Sequence, residues 1–183
     1  DTVGDVHDKL MEIGSELVVQ TVDDILNESI ELRVQKSFVQ GSEILKPAPK
    51  LTRELCHIDW NGKTKNIYNL IRGLSPYPAA FTELSKDDKA LQLKIYKSVK
   101  VTGEEYQTML EQNGLSSAAP GTVLSDGKNY LAFSTADGAI SVTEIQLAGK
   151  KRMAVKDFLI GFREPQTYTT TKGTSSNITG QYA

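Results

Sequence analysis

The feature that most constrains this chain is a change of hydrophobic period near residue 79. Upstream, apolar side chains recur at helical spacing: Val6, Leu10, Ile13 and Leu17, then Ile67, Leu70, Ile71 and Leu74. Downstream, the period becomes two. Leu91, Leu93 and Ile95 alternate with Gln92, Lys94 and Tyr96, and Leu131 and Phe133 alternate with Tyr130, Ala132 and Ser134. Ile140 and Val142 hold one phase while Ile145 and Leu147 hold the other, which predicts a bulge near Glu144. Asp126-Gly127 and Asp137-Gly138 fall between these runs and read as hairpin turns. Short strands punctuated this way predict an α+β, mainly β chain built on a small barrel or sandwich with flanking helices.

The helical parts divide the chain. Residues 2–27 read as helix with Thr2 as N-cap, broken at Gly14-Ser15, with Ser15 capping a second helix through Val18, Val22 and Ile25. Such an apolar face needs a covering partner. Residues 28–50 lack periodicity and end in Lys46-Pro47-Ala48-Pro49-Lys50, so they read as an extended linker. Residues 62–74 form a helix with Asn61 as its cap, ended by Pro76 and Pro78, and Lys65, Asn69 and Arg72 share its polar face. A short helix is expected within 153–163, using Val155, Phe158 and Leu159. The main domain is thus 51–165, and the Thr/Ser/Gly/Asn-rich 166–183 reads as a disordered tail.

Composition supports one domain of ordinary size plus some extra: 183 residues, 39% hydrophobic and 24% charged. No run of about 18 apolar residues exists. The chain opens without Met and without a signal-peptide pattern, and reads as a fragment. Cys56 is the only cysteine, which fits a reducing, cytoplasmic compartment, and it has no metal partner at ligand spacing. By the same logic Asn177-Ile178-Thr179 reads as a chance sequon. The net charge of −2 hides an asymmetry: residues 1–34 carry −7 and residues 35–183 carry +5. The body is mildly basic, which permits a polyanionic partner without requiring one.

Four segments resemble the C-terminal region of methionyl-tRNA formyltransferases. They are Lys50-Leu51-Thr52-Arg53-Glu54-Leu55-Cys56-His57-Ile58-Asp59-Trp60, Ile71-Arg72-Gly73-Leu74-Ser75-Pro76-Tyr77-Pro78-Ala79-Ala80-Phe81, Ala119-Pro120-Gly121-Thr122-Val123 and Leu147-Ala148-Gly149-Lys150-Lys151-Arg152-Met153. Residues 1–10 look like the end of the family's Rossmann-type catalytic domain, so the likeness covers residues 1–163 in order. Ser75, Tyr77 and His57 depart from the commoner Asn, Trp and Arg, and 98–118 is longer than usual.

The resemblance implies an OB-like Greek-key β-barrel that binds initiator methionyl-tRNA, preceded by a helical remnant (1–27) of the catalytic domain. In the family, a formyl group passes from 10-formyltetrahydrofolate to the amine of the methionyl-tRNA in translation initiation. The catalytic Asn, His and Asp belong to the N-terminal domain, and no His-Gly-Ser-Leu-Leu-Pro-like segment occurs in this sequence. The chain alone is therefore expected to carry no catalytic residue, to bind neither cofactor nor metal, and to be monomeric, with the missing catalytic domain and tRNA as partners and no membrane.

Phosphates call for Lys and Arg, and three groups qualify: Lys50 and Arg53 at the linker exit, Lys65 and Arg72 on the 62–74 helix, and the Lys150-Lys151-Arg152 cluster. On spacing alone Lys65 and Arg72 read as a solvated helix face, and the 150–152 cluster equally as a basic loop. Trp60, Tyr77 and Phe81 read as core before they read as base-stacking groups. His57, without a partner pattern, reads as structural. Two other classes compete. One is the C-terminal domain of a sugar-nucleotide formyltransferase or formyltetrahydrofolate hydrolase, which shapes a substrate cleft. The other is a stand-alone OB-type binding module.

Overall fold

The computed structural model describes residues 1–39, 41 and 48–170. The sequon, most of the 166–183 segment and the centre of the linker lie outside the described residues. Helix α1 (Val3–Leu26) is followed by an exposed segment with one 3-10 turn, Gln35–Phe38. Then come α2 (Arg53–Cys56), α3 (Thr64–Leu74), β1 (Ala80–Lys86), β2 (Lys89–Val101), α4 (Gly103–Gln112), β3 (Val123–Ser125), β4 (Leu131–Ser134), β5 (Ala139–Leu147), β6 (Met153–Ala154), α5 (Val155–Gly161) and β7 (Thr169–Thr170).

The strands form one antiparallel sheet in the order β3-β4-β5-β2-β1-β7, with β6 paired to β5. A bridge between Thr122 and Thr169 joins its two ends, so the sheet curls into a nearly closed barrel. Closure leaves little edge for unwanted pairing. The fold is therefore α+β, as the period change predicts. The interior holds Leu84, Leu93, Ile95, Leu131, Phe133, Ile140 and Ile145, all fully buried. Trp60 stacks on Phe133 with ring centres 4.6 Å apart, and its indole N–H donates to Thr82 Oγ1 at 3.0 Å. The faces of α3 and α5 that carry Ile67, Ile71, Leu74, Val155, Phe158 and Leu159 complete this core.

A second core sits under α4, where Leu110 meets Val101, Leu124, Ala132 and Ala139. This is why all four residues of β4 are buried rather than alternating: one face looks into the barrel and the other lies beneath α4. The long 98–118 stretch supplies that cover.

The structure corrects several expectations. Helix α1 is continuous. The Ser15 hydroxyl donates back to Glu12 O instead of capping a new helix, and one interior glycine costs only about 1 kcal/mol, too little to break 24 residues. Thr2 does cap it, in a reciprocal box with Asp5. Helix α3 begins at Thr64, and its start is capped by the β4–β5 turn rather than by Asn61: Asp137 Oδ1 accepts from Thr64 N at 2.7 Å and Thr64 Oγ1 at 2.8 Å. Those bonds, backbone first, lower the Asp137 carboxyl pKa. Residues 166–170, placed in a disordered tail by composition, are built in. Tyr168 packs on the core, and Thr169 and Thr170 pair with Ser85 and Leu84.

Helix α1 meets the barrel at its first turn. Gly4 N donates to Ser75 O at 3.0 Å, and a Cβ on Gly4 would lie 2.6 Å from Pro76 Cδ, so only glycine fits that approach. No residue of α1 is buried, and Leu10, Met11, Ile13, Leu17, Val18, Val22 and Ile25 are exposed. No helix among the described residues is long and apolar enough to cross a membrane.

Candidate nucleic-acid interface

Strand β2 organises the polar surface. Lys94 and Tyr96 lie two residues apart on its outer face, opposite Leu93 and Ile95. The register with β5 then slips twice, between Ile95 and Lys97 and between Lys97 and Ser98, so the predicted irregularity near Glu144 is present in both strands. Past this bulge Lys97 faces Glu144.

One cleft, about 250 Å³, opens between the first turn of α1, α3 and the bulge, and is lined by Tyr68, Arg72, Tyr96, Lys97 and Ser98 among others. Cations and rings interleave around it. Arg72 lies 6.0 Å and Lys100 5.3 Å from the Tyr68 ring centre, and Arg152 lies 4.2 Å from that of Tyr96. Arg72 also donates to Asn69 and to the Asp1 carbonyl. Tyr96 OH donates to Gln146 Oε1, and the Gln146 amide donates to Lys150 O, tying the basic 150–152 turn to the strand. The Ser98 hydroxyl is buried without a hydrogen-bond partner.

Acidic groups here are already engaged. Glu144 accepts from Arg152 and pairs with Lys97 at 3.2 Å, and these contacts, Arg152 first, lower its pKa. Asp1 pairs with Lys9, and Asp5 accepts from Thr2 N.

A second cleft, about 320 Å³, lies between α2 and the start of β1. Arg53 and Lys94 project at it, with Phe81 and Cys56 in its floor. Cys56 Sγ donates to Thr52 O, and burial pushes its thiol pKa up, which makes it a poor nucleophile.

The structure thus puts Arg72 in the lining of one cleft, with Arg152 over the Tyr96 ring beside it, and places Arg53 at the other. Lys50, Lys65, Lys150 and Lys151 are exposed outside both. The sequence reasoning missed Lys94, Lys97 and Lys100 on β2 and the rings of Tyr68 and Tyr96. The signal was present in Lys94-Ile95-Tyr96-Lys97-Ser98-Val99-Lys100, three lysines around one aromatic. Trp60 and Phe81 are core, as expected, but Tyr77 is 84% exposed. Its prolines, which deny it a flanking backbone donor on either side, and the Ala79 N to Leu74 O bond hold the 74–79 turn outward. His57 packs beside Phe81 with ring centres 5.0 Å apart and leaves Nε2 buried without a partner. Among the described residues no three of His, Cys, Asp or Glu converge as a metal set.

The described residues thus set a group of cations, two of them over Tyr68 and one over Tyr96, on one side of a nearly closed antiparallel barrel. Residues 50–163 match the family model described as formyl transferase, C-terminal domain, and the chain belongs to that family. It is 44% identical over 170 residues to a methionyl-tRNA formyltransferase of Parabacteroides distasonis, covering 92% of this chain and 49% of that protein. It is 47% identical to one from Phocaeicola vulgatus, covering 89% and 47%, and 36% identical to one from Staphylococcus epidermidis, covering 90% and 46%. The chain spans about half the length of these relatives. In fold it is similar to a variant of HypX from Aquifex aeolicus, with a TM-score of 0.51, 18% identity, and coverage of 81% of this chain and 24% of that one.

Proposed function

We propose that this chain is the tRNA-holding portion of a methionyl-tRNA formyltransferase, a cytoplasmic monomer in which a separate catalytic domain moves a formyl group from 10-formyltetrahydrofolate to the amine of methionyl initiator tRNA. The observation that carries this reading is the convergence of Arg72, Lys97, Lys100 and Arg152 with Tyr68 and Tyr96 on one face. Phosphates are met by such cations; Tyr96 is buried and serves to seat Arg152, while the partly exposed Tyr68 ring is the one within reach of an unpaired base. Lys50, Arg53, Lys65, Lys150 and Lys151 extend the charge around it. On this reading the barrel is OB-like with Greek-key order, residues 1–27 are the last helix of the Rossmann-type catalytic domain, and 28–50 are the linker. The bare apolar residues of α1 support that assignment, since a face of this kind calls for cover. Chemistry then belongs to the other domain, and this chain aligns the acceptor end with it.

The test is a titration of the chain with initiator tRNA at low and moderate salt, beside Lys150→Ala/Lys151→Ala/Arg152→Ala. Tight binding at low salt is expected, falling steeply with salt, and weaker with a shallower slope in the variant. Absence of binding at low salt would overturn the reading. Formyl transfer by the chain alone would overturn its division of labour.

A further inference from the structure

We propose that the cleft between α2 and the start of β1 holds one unstacked nucleotide of the bound RNA, with Arg53 and Lys94 on its phosphates and Tyr77 stacking on the neighbouring base. This rests on the tRNA reading above and assigns it a subsite. The cleft's volume of about 320 Å³ is at the small end for ligand sites and suits one monomer rather than a polymer groove. Its floor is apolar, with Phe81, Cys56 and Ala79 buried, so it favours a flat ring over water. Gln92 on its wall offers an amide donor and acceptor to a base edge.

The charges are arranged for an anion. Among the described residues, neither Arg53 nor Lys94 has a carboxylate within 4 Å. The Arg53 guanidinium rests over the Phe81 ring at 5.4 Å, a contact that orients it without neutralising it. The Lys94 ammonium is half-buried and donates to one neutral group, the Pro78 carbonyl, at 3.4 Å. A partly desolvated cation without a counter-ion is relieved by an incoming phosphate. Tyr77 stands next to Pro78, which lines the cleft, and its exposed ring is a ready stacking surface. In duplex RNA each base is stacked and paired, so a single nucleotide that enters the cleft has to come from an unpaired stretch.

Three measurements test this. In the first, the unmodified chain is titrated with adenosine 5′-monophosphate and followed by amide NMR. Shifts are expected at Ala79, Phe81 and Gln92, and their absence would overturn the cleft as a nucleotide site. In the second, Lys94→Gln and Tyr77→Ala, each checked for an unchanged melting transition, are titrated with initiator tRNA. Tyr77→Ala is expected to weaken binding about fivefold or more, and Lys94→Gln to weaken it at low salt and flatten the log–log salt slope by about 0.7. In the third, a blunt RNA duplex is titrated, and both variants are expected to bind it as the unmodified chain does. An equal loss on the duplex would overturn the unpaired-nucleotide assignment. If the chain binds tRNA and the variants match it, the subsite falls while the tRNA reading stands. If the unmodified chain binds no tRNA, both fall.

Discussion

Glu144 gives the sharpest handle on the basic face, because its removal should strengthen RNA binding. One carboxylate there serves two cations: it accepts from Arg152 Nε and lies 3.2 Å from Lys97 Nζ. Lys97, Arg152 and Glu144 therefore present a net of one positive charge, and Glu144→Gln raises it to two. A carboxylate about 6 Å from a bound phosphate repels it by about 0.7 kcal/mol at the dielectric of water. Its loss should tighten tRNA binding roughly threefold at low salt and steepen the log–log salt slope by up to about 0.9. The same substitution should cost little stability. Both ion pairs are partly exposed, with the Lys97 side chain 62% accessible, so about 0.5–1 kcal/mol is expected from their loss. The lowered pKa of Glu144, caused first by Arg152, also fixes a pH dependence. Its stabilising contribution is present above the ordinary carboxylate range and is lost as pH falls through the lowered value; the Gln variant should lack this acid limb. The assay is fluorescence anisotropy of labelled tRNA at several salt concentrations, with chemical denaturation as a control. A folded Glu144→Gln chain that binds tRNA more weakly would refute the reasoning and make Glu144 a scaffold for the cations rather than their competitor.

Three further outcomes concern the frame that carries this face. Gly121→Ala should destabilise the chain by about 1–2 kcal/mol in thermal unfolding, because its φ is +86° and a Cβ would sit 2.2 Å from Thr170 Oγ1 at the barrel seam; an unchanged transition would show that the seam is not a constraint. Asp137→Ala should cost about 1–2 kcal/mol through loss of the α3 cap, read by denaturation; Thr64→Val, which removes the hydroxyl bond but keeps the backbone N–H bond to Asp137, should cost less. Partial burial tends to raise the Asp126 carboxyl pKa, but donors from Asn129, Lys128 and Tyr130 overcome it and hold it at about 2. Its contribution is present above the ordinary value of 3.8 and lost as pH falls toward 2; discounted for exposure it is about 1 kcal/mol, and it should disappear from the acid limb of the stability curve in Asp126→Ala.

Much of the frame was legible because period and turn chemistry are local. The Asp126-Gly127 and Asp137-Gly138 turns lie between β3 and β4 and between β4 and β5, and Val155, Phe158 and Leu159 face inward from α5. What was not legible depends on distance in sequence. Asp137 caps a helix 73 residues away, so the nearer Asn61 drew the assignment. Thr169 and Thr170 become strand only because β1 offers an edge, which composition cannot express. Tyr77 reads as core because an aromatic beside apolar neighbours usually packs. Its exposure follows from the two prolines and the Ala79 bond that turn the chain outward.

The basic site shows the same limit, and the bulge explains it. Lys97 shares the odd-numbered phase of Leu93 and Ile95, so a regular β2 would direct its ammonium into the barrel. That burial would be prohibitive. The two register slips release it to the surface and pair it with Glu144, while Thr143 is displaced outward on β5. From the sequence, the phase change at Glu144 showed that an irregularity had to exist, but not what it would deliver. Its effect is to keep the lysine out of the core and set it beside Tyr96, within reach of Arg72 and Arg152 from two other elements. A perfectly regular strand would have produced a tidier sheet and no such surface, so the irregularity in the barrel and the candidate RNA site are one feature.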